Sequence, residues 1–159
     1  MSVRPSPAHR PVAVLVAALA VLSSPACSFY ATEPMVPRTE LRASLGAGAV
    51  VPPTASPATG YLEGVYRPST QVFEYRLNLV GLGGPVSGGA LHGPAAPGET
   101  APAVSPINIP IYDYTIRDGV TLTREQAAEL LAGRWYVSIA TLQYPGGEIR
   151  GQIVPVASR

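Results

Sequence analysis

Apolar and polar residues alternate most cleanly over residues 72–80. Phe73, Tyr75, Leu77 and Leu79 fall on one side, and Glu74, Arg76 and Asn78 on the other. A period of two predicts a half-buried strand. Residues 60–67 repeat the pattern, with Tyr61, Glu63 and Val65 opposing Leu62 and Tyr66, and the stretch Arg67-Pro68-Ser69-Thr70-Gln71 predicts the hairpin turn between them. Residues 40–45 alternate in the same way and run into Val51-Pro52-Pro53, which closes the strand because proline cannot donate to a ladder. Further short strands are expected over 87–92, 107–111 and 114–116. Residues 93–106, rich in Pro, Ala and Gly, predict a long loop without regular structure. The period changes once. Thr123-Arg124-Glu125-Gln126 has the form of a capping box, Ala127, Leu130 and Leu131 supply a helical stripe over about 124–132, and Gly133 suits the end of that helix. Strands 135–142 and 148–154 then pair across Tyr144-Pro145-Gly146-Gly147. The sum is an all-β, antiparallel, Greek-key-like sandwich with one short helix.

The front of the chain does not share this rhythm. Arg4, His9 and Arg10 precede an unbroken apolar run over 12–22, and Ser23-Ser24-Pro25-Ala26 offers small residues before Cys27. A basic start, a short apolar core and a small-residue exit predict a secretory signal over 1–26. The run is shorter than the roughly 20 residues that a membrane-spanning helix needs. Residues 27–38, with Pro34 and Pro37, predict a tether, and 39–159 a single domain. The sequence thus predicts an exported chain. Cys27 is the only cysteine, so no intramolecular disulfide can form. Its position suits the lipid-modified cysteine of a bacterial lipoprotein, although Ser24 stands where such boxes usually have Leu. An ordinary signal peptidase cut after Ala26 would instead release a periplasmic or secreted domain with a free thiol. Lipidation would make the membrane a partner through Cys27, and Ser28 after it points to the outer membrane or the cell surface.

Composition narrows the chemistry. All eleven basic side chains other than histidine are Arg, the formal net charge is +1, and the charges are scattered. Without a basic stripe, nucleic acid is not an expected partner. His92 is the only histidine after the signal, and transition-metal sites need three or four N, S or O ligands, so no metal and no other cofactor is expected. Gly81-Leu82-Gly83-Gly84 completes no nucleotide-binding register. Ser87 lies in no nucleophile elbow and has no second histidine to serve as base, so no catalytic residues are assigned. Glu148 and Arg150, two apart, should share one face of a solvated strand as a surface ion pair or a polar contact. Tyr112, Tyr114, Trp135, Tyr136 and Tyr144 either pack a core or line a carbohydrate or envelope surface.

The helix, strand and turn of the last third, together with Ala90-Leu91-His92-Gly93-Pro94 and Pro145-Gly146-Gly147-Glu148-Ile149-Arg150-Gly151, resemble the CHRD domain, the extracellular module of chordin. The resemblance covers about Leu41 to Val154. CHRD domains often read His-Ile-His-Gly-Pro at the first place and carry a His-Thr step in the penultimate strand. Here only His92 carries over, while Ala90 and Ala140 depart. The same scheme is similar, at the level of fold alone, to copper–zinc superoxide dismutase. The resemblance implies a non-catalytic binding or structural module of the cell envelope, with an unidentified envelope or extracellular ligand. His92, Tyr144, Glu148 and Arg150 are the candidate binding or structural residues. The alternatives are a metal-binding or redox protein on a dismutase-like sandwich, and a carbohydrate- or envelope-binding domain.

Overall fold

The alternation becomes eight antiparallel strands in the computed structural model, which describes residues 37–110 and 114–157. They are β1 (Thr39–Gly46), β2 (Thr59–Arg67), β3 (Val72–Val80), β4 (Val86–His92), β5 (Ala103–Pro106), β6 (Thr115–Thr121), β7 (Trp135–Thr141) and β8 (Ile149–Pro155). A 3-10 turn (Ala47–Ala49) follows β1, and the helix α1 (Arg124–Leu131) lies between β6 and β7. The strand order is β5-β4-β7-β8-β1-β2-β3-β6, one sheet curled nearly into a barrel. The two layers expected of a sandwich are therefore two halves of one sheet, joined where β8 pairs with β1. The fold is all-β and antiparallel, with one short helix among the described residues.

Alternation decides what each half buries. Leu62, Phe73 and Leu77 from one half meet Leu91, Trp135, Val137 and Ile139 from the other in a single core, each with no exposed surface. Each such side chain contributes roughly 1.5–3 kcal/mol through burial. The β2–β3 hairpin runs in unbroken register from Thr59↔Val80 to Arg67↔Val72. Its turn needs one residue, Gln71, in the left-handed region, at φ 57°. The capping box forms as its residues suggest: Thr123 Oγ1 accepts from the Gln126 N–H at 3.2 Å, and the Thr123 N–H donates to Gln126 Oε1 at 2.9 Å. Gly133, at φ 69°, ends the helix in a conformation that costs an L-residue a steric clash.

Two expectations need correction. Residues 93–106 are not wholly irregular, because 103–106 form the edge strand β5 against β4. Pro106 is tolerated there since one side of an edge strand needs no ladder bond. Residues 107–110, expected to begin a strand, form none. Ile107 instead donates its N–H to the Gly89 carbonyl at 2.8 Å and buries its side chain in the core. Residues 111–113, including Tyr112, lie outside the described residues, as do the expected signal, Cys27 and nearly all of the expected tether.

Candidate functional site

The candidate residues gather around β4, β7 and β8, where a strict alternation sorts them. Trp135, Val137, Ile139 and Thr141 point inward, which leaves Tyr136, Ser138 and Ala140 on the outer face of β7. Register then sets their neighbours. His92 is opposite Tyr136 and Ala90 opposite Ser138 on β4, while Arg150 is opposite Ser138 and Gln152 opposite Tyr136 on β8. Ala90, His92, Ser138 and Ala140 line one small pocket of about 230 Å³, closed at one end by Pro145, Gly146 and Gly147. The three positions at which the sequence comparison set histidines against this chain thus converge in space. Gly147 adopts φ 121°, which fits the turn and excludes side chains from it.

His92 is half-buried and its Nδ1 lies 3.0 Å from the Ala101 carbonyl. A carbonyl can only accept, so Nδ1 carries the proton and the Nε2 lone pair is the free one in the neutral ring. The Tyr136 hydroxyl grips the same residue twice, donating to the Ala101 carbonyl at 3.2 Å and accepting its N–H at 3.1 Å. Gln152 Nε2 donates to the carbonyls of Ala95 (3.0 Å) and Gly133 (2.8 Å). These bonds fasten the segment between β4 and β5 to the sheet.

Glu148 and Arg150 are not on a solvated face. Glu148 has no exposed surface and Arg150 is 4% exposed. The reason is long-range cover. β8 lies inside the sheet between β7 and β1, and the Ala47–Ala49 turn packs across it. Nor do the two share a face, since β8 starts only at Ile149 and Glu148 occupies the bend before it. No ion pair joins them; the ion pairs among the described residues are Arg38–Glu40 and Arg67–Glu74.

The Glu148 carboxylate is instead clamped by neutral donors. Oε1 accepts from the Ser56 hydroxyl at 2.6 Å and the Gly83 N–H at 2.7 Å, and Oε2 accepts from the Thr141 hydroxyl at 2.6 Å. Thr54 donates to its main-chain carbonyl at 2.9 Å. Burial pushes this carboxyl up, but the Ser56, Thr141 and Gly83 hydrogen bonds outweigh burial and hold it below the usual carboxylate range. Arg150 has a different environment. Its guanidinium carbon sits 3.5 Å from the centroid of the Tyr136 ring, and that ring stacks on His92 at 4.7 Å and 1°. Burial lowers the Arg150 pKa and Tyr136 partly offsets it; an arginine remains a cation regardless. Its buried Nη2 has no hydrogen-bond partner.

Tyr144 is half-buried in the turn, where its N–H and carbonyl bond to Thr141. Trp135 and Tyr136 are buried and Tyr114 is 36% exposed. Sequence reasoning missed Ser56, Gly83 and Thr141 as partners of Glu148, and no local pattern marks them. The sequence marks Tyr136 only as one of several aromatic residues that pack a core or line a surface; its alternation with Trp135 is the signal that sets it on the outer face of β7. Among the described residues, no three His, Cys, Asp or Glu side chains come together as metal ligands do.

This arrangement defines a curled antiparallel β-module whose polar side chains near β7 and β8 mostly hold loops in place. The chain belongs to the CHRD-domain family, whose family model matches residues 41–153. No curated protein and no solved structure matches it.

Proposed function

We propose that the chain is an exported, envelope-attached module that binds or holds and does not catalyse, anchored to a membrane through lipid on Cys27 and presenting its domain to an envelope or extracellular ligand. Membership of the CHRD family supports this. The observation that carries it is the use of the polar candidates. Glu148 and Tyr136 are spent on fixed hydrogen bonds to Ser56, Thr141, Gly83 and Ala101, and His92 gives one ring nitrogen to the Ala101 carbonyl, an arrangement that stiffens a scaffold. Intact-mass measurement of the protein from the membrane fraction tests the anchor. A diacylated Cys27 as first residue is expected, and a soluble species with unmodified Cys27 would remove the anchor and leave a secreted domain. A pull-down of the same preparation, with its metal content measured, tests for a ligand.

The convergence of Ala90, His92 and Ala140 on one pocket favours a second reading, a metal-binding scaffold of which this chain keeps one imidazole. Calorimetric titration of zinc and copper separates the two. The wild type should show no stoichiometric sub-micromolar binding, and Ala90→His/Ala140→His should gain it. Tight binding by the wild type would displace the first reading.

A further inference from the structure

A larger groove lies elsewhere, on the outer face of β1, β2, β3 and β6, with a volume of about 820 Å³. Pairing sets Arg42, Glu63, Arg76 and Arg117 directly opposite one another in a row across these four strands. At about 4.8 Å per strand gap the row is about 14 Å long. Arg76 and Arg117 face each other on neighbouring strands, both exposed, and neither has an ion-pair partner among the described residues. Like charges directly opposite destabilise a sheet. Three acids that border the groove have their ion pairs or hydrogen bonds elsewhere: Glu74 pairs with Arg67, Glu40 with Arg38, and Asp118 accepts from the Tyr75 hydroxyl and the Gly119 N–H. Glu63 stands between Arg42 and Arg76 in the row.

The next row along the same face is Ser44, Tyr61 and Asn78. Tyr61 is one of the few large apolar side chains left exposed, at 38%. A guanidinium pair beside an exposed ring and a line of hydroxyl and amide groups suits an acidic saccharide. The carboxylate of a sugar would bridge the two guanidinium groups through charge-assisted hydrogen bonds. The sugar ring would lie on Tyr61, and its hydroxyls would meet Ser44, Asn78 and Glu63.

We propose that this face binds an acidic polysaccharide of the uronic-acid type, with Arg76 and Arg117 clasping one carboxylate and Tyr61 receiving the ring. The proposal rests on the envelope-module reading and gives its ligand a chemical class. The test is calorimetry of the purified full chain with polygalacturonate oligomers, neutral dextran, and polyglutamate of matched charge. Polygalacturonate should bind, more weakly as salt rises, and dextran should not. Arg76→Gln/Arg117→Gln should weaken binding at least about tenfold, while melting at an equal or higher temperature than the wild type because the like-charge contact is gone. Tyr61→Ala should weaken it about fivefold. No binding to polygalacturonate, or unchanged binding by the arginine variant, would overturn the site. Equal binding of polyglutamate, with no effect of Tyr61→Ala, would overturn the saccharide assignment. A chain that is lipidated and envelope-bound yet ignores polygalacturonate keeps the function proposed above and loses only this inference.

Discussion

Glu148 and Arg150 stand two residues apart, carry opposite charges and are both buried, yet they are stabilised by different means. Three short hydrogen bonds engage both oxygens of the carboxylate, and its partners come from three separate segments, around residues 56, 83 and 141. The guanidinium lies on an aromatic face, and one of its nitrogens is left without a partner. The first arrangement is a rivet through the loops at one end of the sheet. The second is a layer in a stack, in which the ring face substitutes for a counter-ion. Buried charge alone therefore does not reveal how much stability rests on a residue; the number of donors and acceptors it satisfies does.

Truncation is the most direct way to break the contrast. Glu148→Ala should cost about 3–5 kcal/mol, since it leaves two hydroxyls and an N–H without their acceptor as well as removing the bonds. Chemical denaturation at neutral pH measures it, and a loss under 1 kcal/mol would mean that the clamp is replaceable by water. Acid sharpens the same point. Because the folded carboxyl titrates below its unfolded value of about 4.3, its contribution is complete above that value and disappears as pH falls through the folded value. Denaturation curves of the wild type and Glu148→Gln should therefore lie apart at pH 7 and approach each other in strong acid.

Smaller effects are expected in the stack. Tyr136→Phe keeps the ring under Arg150 and removes both bonds to Ala101, for a loss of about 1–1.5 kcal/mol. Hydrogen exchange should quicken at the Ala101 amide before it quickens in β7. Arg150→Met should change stability least, within about 1 kcal/mol of the wild type in either direction, since an apolar chain of similar length avoids the unsatisfied nitrogen. A loss as large as that of Glu148→Ala would erase the distinction between rivet and stack.

The contrast was not legible in the sequence, and distance along the chain explains why. The Ser56–Glu148 bond spans 92 residues, and the turn that covers β8 comes from the end of β1. A spacing of two between Glu148 and Arg150 predicts a shared face only if both lie in a regular strand, and Glu148 does not. Features set by near neighbours read well. β3 has the bounds that its alternation predicts, and the capping box of α1 is complete. β5 was hidden because Pro102, Ala103 and Pro106 carry no strand propensity of their own. Its pairing comes from β4, an effect of tertiary context that local pattern does not encode. Arg42 and Arg76 were legible as polar positions of strands, but Arg117 lies beyond the strand expected over 114–116, and only the longer β6 and its register set it opposite Arg76.

The place of β1 has a mechanical consequence. The segment before Thr39 leads directly into a strand that is flanked by β2 on one side and β8 on the other. Antiparallel ladder bonds run perpendicular to the strands they join. A pull on the chain at residue 37, directed along β1, therefore loads both ladders in shear, and many bonds must yield together. The same pull on an edge strand such as β5 or β6 would meet one ladder only. A domain fastened through its N-terminal segment and gripping a polymer on the face of β1, β2, β3 and β6 would carry tension through the most heavily paired part of its sheet.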